Sequence, residues 1–123
     1  MDQEVRQKLD AAHEMQINGH YPKAERLYRE VLEQVDAPLV EAETRHGLGC
    51  TLVFTGMFEE GLQELLDARE KDPDNATILL DVAKTHLMLG MYEEAQPELA
   101  QIVERFPDTP EAAEAKNQLS YFE

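Results

Sequence analysis

The sequence predicts an all-α repeat protein, an α-solenoid of three helix-turn-helix units closed by a capping helix. Three observations predict it. A glycine–aromatic motif recurs three times in phase, amphipathic segments flank each copy, and proline-containing punctuation separates the units.

The three copies are Gly19-His20-Tyr21-Pro22-Lys23-Ala24, Gly56-Met57-Phe58-Glu59-Glu60-Gly61 and Gly90-Met91-Tyr92-Glu93-Glu94-Ala95, at intervals of 37 and 34 residues. Glycine supplies the positive φ that ends a helix. The aromatic two residues later is expected to wedge between the helices of a hairpin. The small residue three further on lets their backbones approach. Tyr28 and Val31-Leu32, Leu65 and Ala68, and Leu99 and Ile102 then continue one apolar face in each copy.

Each glycine is preceded by another amphipathic helix, carrying Ala11-Ala12 and Met15, Leu48-Gly49 and Leu52, or Val82-Ala83 and His86. His86 shares the packed face with Val82 and is expected in the core. The runs Asp72-Pro73-Asp74-Asn75 and Phe106-Pro107-Asp108-Thr109 stop one helix and restart the next, with Asn75 and Thr109 as N-caps. Pro110 opens a seventh helix. Its apolar stripe is Ala112, Ala115, Leu119 and Phe122, and Glu111, Glu114, Asn117 and Gln118 make a polar face. A solenoid needs such a cap with one wet face.

The 123 residues suit a single domain, 1–123, with repeats at about 5–38, 42–75 and 76–109 and the capping helix at 110–122. The acidic excess, 26 Asp and Glu against 11 Lys and Arg, leaves a net charge of −15. Such a surface repels a nucleic-acid backbone or an anionic membrane, so neither is an expected partner. Lys23, Arg26 and Arg29 form one basic stripe, already interleaved with Glu25, Glu30 and Glu33. No apolar run approaches the roughly 18 residues of a spanning helix. The charged stretch from Met1 to His20 is unlike a secretory signal. Cys50 alone makes no internal disulfide framework, and a reducing, cytoplasmic setting is expected.

Three in-phase copies over nearly the whole chain resemble the tetratricopeptide repeat, a helix-turn-helix unit with a period of about 34 residues. The resemblance is carried by Thr55-Gly56-Met57-Phe58-Glu59-Glu60-Gly61 through Asp72-Pro73-Asp74-Asn75, and by Leu89-Gly90-Met91-Tyr92-Glu93-Glu94-Ala95. It implies a short right-handed superhelix. Departures are visible. The first interval is three residues too long around Val35-Asp36-Ala37-Pro38, which extends that loop or the next helix. Gly61 replaces the family's alanine, an expected loss of roughly 0.5–1 kcal/mol of helix stability. Pro97 falls inside a helix, where a bend or a late start is expected.

Catalytic chemistry finds no support. Gly47-Leu48-Gly49 lies mid-helix without a phosphate-loop fingerprint, and the single serine, Ser120, has no evident base. No catalytic residue and no cofactor is expected, and the chain is read as a non-enzyme. His46 and Cys50, four apart on one helix, and His13 at the place matching Cys50 offer three ligand types facing one groove. Without a close pair of cysteines or a second local histidine motif they are read as groove-lining residues, and no metal is expected.

In the family this sequence resembles, the first helix of each repeat lines the concave face, where ligand peptides lie. Helical spacing then assigns the groove to Leu9, His13, Ile17, His46, Cys50, Val53, Phe54, Leu80, Lys84, Leu87 and Met88, with Arg6, Gln16, Glu43, Thr77 and Asp81 beside them. One branch of the family grips chaperone C-terminal carboxylates with lysine, asparagine and arginine. Leu9, His13, Gly47, Thr77 and Asp81 stand at those places here, so that clamp is not expected. The remaining groove is apolar and ringed by acids. Its expected partner is a protein or peptide with an apolar or amphipathic segment and basic flanks. The reading is an adaptor or scaffold; the alternative is a homo-oligomeric assembly module that uses the same groove and the C-terminal helix.

Overall fold

Three glycines turn the chain. Gly19, Gly56 and Gly90 adopt φ of +81°, +88° and +74°, and each closes its helix by the same two backbone bonds. The glycine N–H bonds the carbonyl three residues back, as Gly19 to Gln16 at 3.0 Å. The next N–H reaches five residues back, as His20 to Met15 at 2.8 Å. That pair of bonds is the Schellman helix stop. The computed structural model describes residues 2–123 and is all-helical: α1 (Gln3–Ile17), α2 (Tyr21–Gln34), α3 (Pro38–Phe54), α4 (Phe58–Lys71), α5 (Ala76–Met88), α6 (Tyr92–Arg105) and α7 (Pro110–Leu119). A 3-10 turn, Ser120–Phe122, extends α7. The expected caps form: Asn75 Oδ1 accepts from the Ile78 N–H and Thr109 Oγ1 from the Ala112 N–H, both at 3.1 Å. No helix among the described residues is long and apolar enough to cross a membrane.

The chain divides into two compact units, Met1–Pro73 and Asp74–Glu123. In the first, Val5, Leu9 and Ala12 of α1 meet Ala24, Tyr28 and Val31 of α2 and Leu48 and Leu52 of α3 in one buried cluster. α4 packs against α3 through buried Gly61 and Leu65, and Ala68 of α4 is buried as well. In the second, Leu80 and Ala83 of α5, Leu99 and Ile102 of α6 and Ala115 of α7 form the core, with Leu79, Leu87, Val103, Phe106 and Leu119 at its margin. His86 is buried as expected, and its Nδ1 lies 2.6 Å from Glu98 Oε1.

Of the two places expected for the three extra residues, the helix takes them: α3 starts at Pro38 after a loop of only Val35–Ala37. Pro at the first helical position favours that start. Other expectations are corrected. α6 begins at Tyr92 and runs through Pro97 without a late start. Pro97 and Glu93 are both exposed, on the side of α6 that faces solvent, where a missing helix bond costs least. The motif aromatics wedge less than expected. Tyr21 is half-buried, and Phe58 and Tyr92 stay 36% and 51% exposed because they are the first residues of their helices. Gly61 is no defect: a Cβ there would lie 2.8 Å from Gly49 O and from Val53 Cγ2.

Candidate functional site

The first unit holds a polar network on the facing sides of α1 and α3. Tyr28, on α2, is fully buried, and its hydroxyl lies 2.7 Å from His13 Nδ1. The other ring nitrogen, His13 Nε2, lies 2.9 Å from Glu43 Oε2. An ionised carboxylate only accepts, so Nε2 carries a proton and donates to it, and in the neutral ring Nδ1 accepts the Tyr28 hydroxyl proton. Arg6 closes the other side of Glu43 with two bonds, Nη1 to Oε1 at 2.9 Å and Nη2 to Oε2 at 2.7 Å, and its Nε donates to Asp10 at 3.0 Å. This bidentate fork, helped by His13, holds the Glu43 carboxyl below its ordinary range. Burial above all, with the nearby Cys50 and Glu43, pushes the Tyr28 phenol well up, so it stays a neutral donor.

Gln16 joins the same network. Its Nε2 donates to Gly47 O and to Thr51 Oγ1, both at 3.0 Å. Gly47 is there because Tyr28 is: a Cβ on residue 47 would lie 2.4 Å from Tyr28 Cζ. Beside this contact lies an open hollow of about 190 Å³ lined by His13, Gln16, Glu43, His46, Gly47 and Cys50. With Tyr28 on one ring nitrogen and Glu43 on the other, His13 has no lone pair to give a metal in this arrangement.

His13, His46 and Cys50, assigned to the groove from spacing, therefore do come together. Ile17 and Phe54, the last residues of α1 and α3, are 82% and 60% exposed. Leu9 and Val53 are corrected: both are buried, Leu9 within the first core cluster and Val53 against Gly61. In the second unit Leu80 is likewise buried in the core, and Leu87 is half-buried at its margin. Met88 ends α5 and is 54% exposed, and Lys84 Nζ donates to Glu114 of α7 at 2.7 Å. Sequence reasoning missed Tyr28 and Gly47 as parts of the site. The only signal was a glycine in the middle of a helix, which marks a close approach.

Comparison with known proteins gives the same architecture. The chain is similar to PcrH from Pseudomonas aeruginosa, with a TM-score of 0.83 at 19% identity, covering 98% of this chain and 93% of that one. The Yersinia enterocolitica type III secretion chaperone SycD, solved with a peptide of the translocator YopD, matches with a TM-score of 0.80 at 19% identity, over 98% of this chain and 90% of that one. The TPR2B domain of yeast Sti1, in a pHsp70 complex, matches with a TM-score of 0.84 at 20% identity, over 98% and 95%. No curated protein sequence matches the chain. The tetratricopeptide repeat family matches residues 52–119, more than half of the sequence. The described residues form three identical glycine stops, three helix pairs and a seventh helix, and the chain belongs to the tetratricopeptide repeat family.

Proposed function

We propose that this chain is a protein–protein interaction module, an adaptor or scaffold that holds an apolar or amphipathic segment of a partner against the first helices of its repeats. The observation that carries the reading is the open hollow of about 190 Å³ between α1 and α3, with exposed Ile17 and Phe54 ending the same two helices. Its polar wall is already satisfied internally, which leaves a preformed depression for a side chain of the partner. His13, His46, Cys50, Ile17 and Phe54 are the contact residues proposed in the first unit, and Lys84, Leu87 and Met88 in the second. Leu9, Val53 and Leu80 support them from the core. The similar structures support the reading, since SycD was solved with a YopD peptide, PcrH with the chaperone-binding region of PopD, and Sti1 TPR2B with pHsp70.

The net charge of −15 favours basic flanks on the partner segment. The 123 residues act as one domain in this reading, in the cytoplasm and without catalysis of their own. A pull-down with the native chain beside an Ile17→Ser/Phe54→Ser variant, shown by circular dichroism to be folded, tests it. A protein kept by the native chain and lost by the variant is expected. The same protein kept by both would move the contact off these helices.

A second reading, homo-oligomeric assembly, is favoured by Tyr121, which is 76% exposed at the C-terminal helix, and by SycD, for which an alternative dimer has been solved. Light scattering across a concentration series separates the two: a constant monomer mass removes assembly.

A further inference from the structure

We infer that one end of the second unit is a docking surface for a cationic amphipathic segment of another protein, distinct from the groove. Three chain positions contribute to it. Met88 ends α5, Tyr92 begins α6, and Tyr121 and Phe122 close the 3-10 extension of α7. The Tyr92 and Phe122 rings pack edge-on, with centroids 5.6 Å apart and planes at 64°, which brings these helix ends to one side. Met88, Tyr92, Tyr121 and Phe122 remain 54%, 51%, 76% and 38% exposed. Four large apolar side chains left in water on one unit are more than scattered surface residues, and such patches mark contact sites.

The charges beside them select the occupant. Exposed Glu93 and Glu94 follow Tyr92, and exposed Glu123 follows Phe122. The unit as a whole carries ten Asp and Glu against three Lys and Arg. Two of those cations are engaged, Lys84 with Glu114 and Arg105 with Asp74. Placing Glu93 and Glu94 in the first turn of α6 suits the helix dipole, but that does not account for the four apolar neighbours. In the first unit the ring pair is Tyr21 and Phe54 at 5.7 Å, with Pro22 and Lys23 after Tyr21; exposed Met57 and Phe58, ahead of Glu59 and Glu60, repeat part of the pattern there.

A second copy of the chain carries the same net charge of −15, so charge complementarity favours a basic segment over it. A helix with leucine-like residues on one side and Lys or Arg on the other matches both features. Its apolar side covers the rings, and its cations reach the carboxylates and the ring faces. The surface shares only Met88 with the proposed groove, so either reading survives the failure of the other.

The test uses the full chain and a labelled synthetic Leu/Lys amphipathic helix, followed by fluorescence anisotropy. Binding is expected to weaken about tenfold in Glu93→Lys/Glu94→Lys, a change of about 1.4 kcal/mol. A similar loss is expected in Tyr92→Ser/Tyr121→Ser, at native helix content by circular dichroism. The charge-matched control Glu33→Lys/Glu70→Lys is expected to bind as the native chain does. Equal weakening by that control would reduce the effect to bulk charge and overturn the proposal. So would equal binding of a Leu/Glu peptide, no binding at all, or a loss confined to Ile17→Ser/Phe54→Ser. Dimerisation abolished by Tyr92→Ser/Tyr121→Ser would replace the peptide with a second copy.

Discussion

Gly49 of α3 and Gly61 of α4 face each other so closely that neither has room for a side chain. A Cβ on Gly61 would lie 2.8 Å from the Gly49 carbonyl oxygen, and a Cβ on Gly49 would lie 3.0 Å from the Gly61 carbonyl and 2.8 Å from Leu65 Cγ. Backbone carbonyls cannot step aside as a flexible side chain can. Gly61→Ala therefore destabilises the protein by about 1–3 kcal/mol through overpacking. The gain of roughly 0.5–1 kcal/mol in helix propensity is outweighed. Urea unfolding measures the balance, and a rise in midpoint would show that α4 shifts freely on α3.

Gly47 and Tyr28 are the second interlocked pair. Gly47→Ala drives a methyl into the buried phenol ring, and a loss of about 1–3 kcal/mol is expected. Tyr28→Leu loses packing and leaves His13 Nδ1 without its donor. The double variant Gly47→Ala/Tyr28→Leu is expected to lose clearly less than the sum, because the smaller side chain vacates the space the methyl needs. Strict additivity in a double-mutant cycle would contradict the contact.

Glu43 links the first unit to pH. Its folded pKa is depressed by the Arg6 fork first and His13 second. The stability it contributes is therefore fully present above the ordinary carboxylate pKa and is lost as pH falls through the lower, folded value. Glu43→Gln is expected to lower stability at neutral pH and to flatten the decline in acid. Unfolding midpoints between neutral pH and pH of about 3 read this directly. A decline in acid as steep as the native chain's would place the coupling elsewhere.

Pro97 sits in the second turn of α6 and forfeits one helix bond. Pro97→Ala restores the N–H to the Glu93 carbonyl and removes the ring clash. A gain of about 1–3 kcal/mol is expected by thermal unfolding. A loss would mean that the ring itself packs usefully.

The turns were legible because each depends on local chemistry: Gly19, Gly56 and Gly90 at positive φ, and Asn75 and Thr109 as caps. Burial along the groove face was not. Leu9, Val53 and Leu80 belong to the same apolar class as Ile17, Phe54 and Met88, yet the first three are buried and the last three exposed. What separates them is the neighbour each side chain meets: Ile17, Phe54 and Met88 are the final residues of their helices, whereas Val53, one residue earlier, faces Gly61 of α4. Gly61 read as a weakness because its partner, Gly49, is defined only by how α3 and α4 meet. The bond between His13 and Glu43 joins residues 30 apart and has no periodic signature.

The central claim is that the first helices of the repeats hold a partner segment. The most direct measurement is an amide chemical-shift map of the labelled chain, titrated with the shortest binding peptide of the captured partner. The account predicts the largest shifts on α1, α3 and α5, at His13, Ile17, His46, Cys50, Phe54 and Met88, with α2 and α4 little changed. Shifts concentrated on the exposed residues of α2 and α4, with His13, His46 and Cys50 unmoved, would contradict it.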